Sequence, residues 1–446
     1  MKKWITTGLL IILVAALAAA CVPAPAVVTP AAAPPTTAPP APTPSKQEMK
    51  AELSVIFWGD EEQKKLVEGW IAEFNQDYPN IKVTPLHTPK GYWDKVTAMM
   101  AAGTPPDLMY MGYPEMVRYA SEGTLLALDD YLAKDPEMNM EMFFPALVKA
   151  FTYEGKIYGV PKDWNVQVLY YNKNLFDQAG LSYPDENWTW DNVLEAAQKL
   201  TADTDGDGVT DQWGLVNDVG MNRIGAWIYA NGGSILSEDR RQCTLTEPAS
   251  VEALQFITDL MFKYKVAPSK KELGELSAKE MFASGRAAMK VSGGWRVIAF
   301  RDIKDFEWDI APIPKSPRTG QRATVVDTVS WSIAKGTKYP DAAWELLKFF
   351  AGEAGQVRTA QSGMATPSMI KYARSEAFLD PTKPPAHREV LISYTEDEVN
   401  YYPVIPRMGE LWDAWNQELS EMWLGQKSVE DSVKAFCERV SPVLPK

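Results

Sequence analysis

The chain is 446 residues long and carries a formal charge of −13, with 46% hydrophobic residues and 16 tryptophans. Such an acidic field repels polyanions, which argues against nucleic acid and anionic lipid surfaces as partners. The two histidines, His87 and His387, lie far apart without metal-ligand spacing, which weakens zinc and Ser-His-Asp chemistry.

Lys2 and Lys3 precede a mostly apolar run from Ile5 to Ala16, and small residues lead to Cys21. A basic start, a short apolar stretch and small residues read as a secretory signal over residues 1–20, too short for the roughly 20 residues of a membrane span. The junction resembles a bacterial lipoprotein signal, although Leu17 stands one place earlier than usual. That resemblance implies lipidation of Cys21 and a stable anchor if two or more acyl chains are attached. Val22 to Pro44 contains only Val, Pro, Ala and Thr. It cannot bury enough surface to order itself, and its prolines favour an extended spacer, so residues 21–50 read as a tether. Losing Lys2 and Lys3 with the leader takes the charge from −13 to −15.

About 400 residues remain, which predicts two domains. Leu53–Trp58 reads as a buried strand and Glu61–Tyr78 as a helix with Leu66, Trp70 and Phe74 on one face. Ile81 and Val83 alternate in a second strand, Tyr92–Ala102 is a helix, and Leu108–Met111 is a third strand. The β-α-β-α-β order predicts an open, mostly parallel sheet whose ligand lies outside the carboxyl ends of the strands, where Trp58 and Tyr110 fall. Further helices are predicted at 115–122, 174–179, 191–200, 250–264, 279–289, 340–351 and 411–424, and strands around Gly159-Val160-Pro161 and over 324–333. Cys243 and Cys437 could form one disulfide in an exported protein, but their positions do not show that they meet.

From Tyr153-Glu154-Gly155-Lys156-Ile157-Tyr158-Gly159-Val160-Pro161 and Leu169-Tyr170-Tyr171-Asn172-Lys173-Asn174-Leu175-Phe176 the chain resembles the extracellular solute-binding proteins of ABC importers, and within them the family 1 sugar-binding set. Gly103-Thr104-Pro105-Pro106-Asp107, Glu122-Gly123-Thr124-Leu125-Leu126, Asn231-Gly232-Gly233, Phe282–Met289 and Ala342–Leu347 agree in order, from residue 51 onward. The resemblance implies a two-lobe, type II periplasmic-binding-protein-like α/β fold, each lobe a mostly parallel sheet flanked by helices. Lobe one would be 51–165 with 327–362, and lobe two 170–325 with 365–446. The crossings would fall near Val166–Val168, Asp327 and Gly363–Thr366. It implies a monomeric, non-enzymatic capture protein that closes on a carbohydrate, by the same implication an oligosaccharide, and delivers it to permease subunits. The protein would be lipid-anchored on the outer face of the bacterial cytoplasmic membrane. Two alternatives compete: a surface glycoside hydrolase, which needs two carboxylates at a fixed separation, and a binding protein for a non-sugar solute such as a glycerophosphodiester.

A sugar presents a C–H face to aromatic rings and hydroxyls to Asp, Asn and Arg. Aromatic–polar pairs therefore mark the candidate ligand site: Trp58 with Asp60, Asp163-Trp164-Asn165, Trp227 with Asn231, and Trp295 with Arg296. The resemblance adds Trp295 and Trp412 as stacking tryptophans and Tyr110 with Met111 as part of the first lobe's wall. Arg223 and Arg407 could hold an anionic substituent or pair on the surface. No cofactor is required, but the loop 203–214 has calcium-binding spacing, with Asp203, Asp205, Asp207 and Asp211 at the oxygen positions and Val209 offering its carbonyl. Gly214 stands where a bidentate Glu is usual.

Overall fold

A computed structural model describes residues 46–394 and 398–446. The leader, the lipidation candidate Cys21 and the tether up to residue 45 lie outside the described residues.

Strand β1 (Ala51–Phe57) ends in three fully buried residues, Val55, Ile56 and Phe57, as a strand covered on both faces requires. Helix α1 (Glu61–Asp77) is capped by Asp60, whose carboxylate accepts the Gln63 N–H at 3.1 Å, and buries Val67, Trp70, Ile71 and Phe74. Then come β2 (Ile81–His87), α2 (Tyr92–Ala101), β3 (Leu108–Gly112), α3 (Tyr113–Ser121), β4 (Val160–Asn165) and β5 (Gln167–Asn172). The middle of the chain supplies α4 (Trp190–Leu200), β6 (Trp213–Asn217), α5 (Met221–Ala230), α6 (Pro248–Phe262), β7 (Ala287–Gly293) and β8 (Trp308–Ala311). The last part contains β9 (Asp327–Ile333), α7 (Pro340–Ala351), α8 (Glu353–Ser362), β10 (Thr366–Pro367), α9 (Met408–Glu418) and α10 (Val429–Val440).

Two sheets result. The first runs β10-β4-β9-β3-β1-β2, with β1 parallel to β2 and β3, and with β9 antiparallel to β3 and β4. The second runs β8-β5-β7-β6, with β6 and β7 parallel and the other pairs antiparallel. Each sheet has its own core. One cluster joins Phe57, Phe74, Trp331 and Phe350, and two others cover the two faces of the second sheet. Val166 alone separates β4 of the first sheet from β5 of the second. The second passage precedes Asp327, where Thr324 Oγ1 accepts the Gln167 N–H at 2.8 Å.

Several expectations need correction. The predicted helix over 279–289 stops at Ala283, and a turn at Gly285 leads into β7, all of whose residues are buried. An apolar run covered on both sides has no period to tell a strand from a helix. The helix expected to reach residue 424 ends at Glu418, and a separate 3-10 turn forms at Met422–Leu424. The third crossing is not complete at Gly363–Thr366, because Thr366–Pro367 still pairs with Trp164 and Asp163 as an edge of the first sheet. Cys243 and Cys437 do meet: they form a disulfide with Cα atoms 5.4 Å apart, tying the 236–243 loop to α10.

Candidate functional site

Where the strands pass between the sheets, a cleft of about 690 Å³ opens. Its first wall is an aromatic cluster grown from the carboxyl ends of β1, β2 and β3. Trp58 meets Tyr92 edge-on at 4.7 Å, Tyr110 at 5.1 Å and Trp93 at 5.7 Å between ring centroids. The Tyr92 hydroxyl donates toward the carbonyls of Tyr110 at 2.8 Å and Ile56 at 3.2 Å, which clamps the cluster to β1 and β3. Gly59 adopts φ +137°, and a side chain there would strike Gln63, so glycine permits the sharp turn that presents Trp58 and Asp60 together.

The second wall comes from α5, the turn after β7, and α9. Asn222 and Arg223 open α5, Trp295 and Arg296 come just after β7, and Tyr402 packs against Trp412 at 5.6 Å. Trp295 lies over Gly293, where any Cβ would sit 1.9 Å from the ring, and the Arg223 guanidinium lies 4.5 Å from its centroid. Trp295 is thus held in place from below by backbone and met by a cation.

The floor is polar. Lys162 and Asp163 pair in a buried contact, and the Lys162 ammonium also lies 4.7 Å from the Tyr110 ring centroid. Burial works against the Lys162 charge, but Asp163 and Tyr110 outweigh it and raise its pKa. Asp327 accepts from Gln167 Nε2 at 3.1 Å and Asn222 Nδ2 at 3.1 Å, with Arg223 at 4.0 Å. Burial raises its pKa, and Arg223, Asn222 and Gln167 hold it down. Glu115, at the start of α3, is pushed up to about 7 by burial, with its own backbone N–H and Arg118 opposing. Its carboxylate folds back over Gly112, where a Cβ would lie 2.8 Å away. Asn165 Oδ1 and Arg296 Nε are buried without a hydrogen-bond partner. The cleft therefore offers ring faces and edges together with donors and acceptors, some still unpaired.

Of the candidate residues, Trp58, Asp60, Tyr110, Asp163, Asn165, Trp295 and Trp412 line this cleft. Five do not. Met111 is fully buried, one residue past Tyr110, and strand alternation turns it to the other side. The same alternation brings Asp163 and Asn165 to the cleft and sends Trp164 behind it, against Phe144 and onto the Pro367 carbonyl at 3.0 Å. Trp227 is 1% exposed and packs against the stacked pair Trp190 and Phe256. Asn231 is wholly buried, donating to the Ala249 carbonyl at 2.8 Å and accepting from the Ser316 hydroxyl at 2.6 Å. Arg407 is exposed and pairs with Glu410 at 2.7 Å. Sequence reasoning missed Tyr92, Trp93, Glu115, Lys162, Asn222 and Tyr402. The Tyr92-Trp93 pair, just beyond the carboxyl end of β2, carried a readable signal.

In the 203–214 loop, carboxylate oxygens of Asp203, Asp205 and Asp211 lie within 4.8 Å of one another. Asp203 accepts the N–H groups of Gly206 and Gly208, each at 2.7 Å, and Asp211 accepts from Thr204. These bonds lower the pKa of both acids. Asp207 turns instead to the Val209 N–H at 2.7 Å. Gly214 lies against α4, where a Cβ would come 2.2 Å from the Ala197 carbonyl, so the position cannot host a ligating Glu.

The profile of the family described as bacterial extracellular solute-binding protein matches residues 58–357. The galactooligosaccharide-binding protein of Bacillus subtilis is 24% identical over 393 residues, covering 86% of this chain and 88% of its own length. An ABC substrate-binding protein from Listeria monocytogenes, solved with cycloalternan, superposes with a TM-score of 0.81 at 27% identity, covering 88% of this chain and 99% of that one. The maltose/maltodextrin-binding domain of Bdellovibrio bacteriovorus, solved with maltotriose, has a TM-score of 0.75 at 22% identity over 88% of this chain and 99% of that one.

Proposed function

The chain belongs to the bacterial extracellular solute-binding proteins, and we propose that it captures a carbohydrate, specifically an oligosaccharide, between its two lobes and delivers it to the permease of an ABC importer. The family is one of exported binding proteins, so the chain works outside the cytoplasm. The observation that carries the sugar reading is the cleft itself. Trp58, Trp93 and Tyr110 face one side, Trp295 and Trp412 the other, and polar groups without partners lie between them. A concave site with aromatic walls and a few polar groups suits the C–H faces and hydroxyls of a sugar. The cleft of about 690 Å³ is large enough for more than one ring. The oligosaccharide ligands of the two solved relatives and of the Bacillus subtilis protein support the same class.

The protein acts as a monomer in this reading, held beside its permease by a lipid on Cys21. In the 203–214 loop a calcium ion would be held by Asp203, Asp205 and Asp211, whose oxygen spacing suits a hard divalent cation, and its role would be to stiffen the loop. Calorimetric titration of the signal-free protein with Ca²⁺ tests this, and the absence of both heat and thermal shift removes it.

The main test is intrinsic tryptophan fluorescence during titration with mono- and oligosaccharides, and with glycerophosphodiesters and phosphate monoesters in parallel. Saturable change with an oligosaccharide supports the proposal. A response to the phosphate esters alone would replace the sugar with a phosphorylated solute, and release of reducing ends would indicate hydrolysis instead of capture.

A further inference from the structure

Two arginines outside the cleft lie close together without a salt bridge among the described residues. Arg301 closes the helical turn that comes after Trp295, and Arg388 opens the 3-10 turn 388–392. Both reach Gly363, the C-cap of α8. A Cβ built on Gly363 would lie 2.2 Å from Arg388 Nη2 and 2.7 and 2.8 Å from Arg301 Nη1 and Nη2. The nitrogens of the two guanidinium groups are therefore no farther apart than two of those distances combined.

Their other bonds are to neutral carbonyls. Arg301 Nη1 donates to the Ser362 carbonyl at 2.9 Å and Nε to that of Pro384 at 3.0 Å, and Arg388 Nη1 donates to the Phe378 carbonyl. Three N–H-bearing atoms, Arg301 Nη2 and Arg388 Nε and Nη2, are buried with no partner. Arg388 is 1% exposed. Among the described residues neither guanidinium makes an ion pair. The acid whose charge acts on both, Asp380, is engaged by Lys383 at 3.0 Å and by the Thr382 N–H and hydroxyl.

A buried guanidinium close to a second, half-buried one is costly unless an opposite charge joins them. Burial and then Arg301 lower the Arg388 pKa to about 10, still far above neutrality, so both groups keep their charge. We propose that Arg301 and Arg388 form a binding site for a small monovalent inorganic anion of the halide class. Such an ion would accept from the three free N–H-bearing atoms at once. It would join the turn behind Trp295, the end of α8 and the 378–388 segment into one block, and it lies apart from the solute cleft.

The test uses the signal-free chain, with melting followed at constant ionic strength as gluconate is replaced by bromide or chloride. A saturable rise in Tm of about 2 °C is expected, and Arg388→Gln or Arg301→Gln should abolish the dependence. If Arg388→Gln does not fold, Arg301→Gln and a crystal carry the test. Crystals grown in bromide should show an anomalous peak within hydrogen-bond reach of Arg301 Nη2 and Arg388 Nη2. An ordered water at that point without anomalous signal, or a Tm that responds equally in both arginine variants, overturns the proposal.

Discussion

Replacing Glu115 by Gln should change how stability depends on pH. Glu115 has a folded pKa of about 7, raised from 4.5 by burial at the cleft wall. Between those values the folded chain holds a proton that the unfolded chain has lost. The stabilisation tied to that proton is complete below pH 4.5 and is lost as pH rises through about 7. At 1.36 kcal/mol per tenfold change, a rise of this size corresponds to at most about 3 kcal/mol. Water enters the open cleft and weakens the effect, so about 1–2 kcal/mol is the expected size. The assay is urea unfolding by tryptophan fluorescence at pH 5 and pH 8, on the parent and on Glu115→Gln. The parent should lose about 1–2 kcal/mol more than the variant over that interval. Groups common to the two proteins act equally on both and drop out of the difference. Equal losses in the two proteins would refute the reasoning, as would a parent that gains stability relative to the variant.

Three further substitutions separate the cleft from its supports, and a fourth opens the cross-link. Trp58→Ala should weaken solute binding at least tenfold while leaving the chain folded, since Trp58 stands at the cleft wall; affinity and melting measured together check this. Trp227→Ala should do the reverse, costing about 3–5 kcal/mol of stability because its ring is buried against Trp190 and Phe256, with the loss read by denaturant unfolding. Gly214→Ala should destabilise by about 1–3 kcal/mol, since a methyl there would meet the Ala197 carbonyl at 2.2 Å, and solute affinity should stay the same. Replacing Cys243 and Cys437 together by Ser removes a link spanning 194 residues and should cost about 3–5 kcal/mol, whereas a reducing agent should leave the variant's midpoint unchanged.

The legible parts of this protein are those whose signal is local. Trp70 and Phe74 repeat at helical spacing, the run at 53–58 is apolar but for Ser54, and Pro105-Pro106 ends a helix before a strand. Those patterns dictate the β-α-β-α-β unit, and the position of a ligand relative to such a unit then points to Trp58, Asp60 and Tyr110. Strand alternation held more information than composition alone used. Asp163 and Asn165 share a face, so Trp164 between them must leave it, and Met111 must leave the face of Tyr110.

What remained hidden depends on contacts between distant segments. Asp327 meets Gln167 across 160 residues and Asn222 across 105, so no window along the chain contains the pair. Trp227 and Trp295 look alike as aromatic–polar pairs, one with Asn231 four residues on and the other with Arg296. One is sealed against Trp190 and Phe256, while the other is lifted onto Gly293 and met by Arg223. The difference comes from which surface the returning chain covers. Glu115 shows the same logic in its protonation: nothing in Tyr113-Pro114-Glu115 foretells a carboxyl titrating near neutrality, because the burial that raises it is created by the wall of the cleft. A residue's chemistry in this fold is therefore set by the segment that packs over it, and only the assembled lobes reveal which tryptophans are walls and which are core.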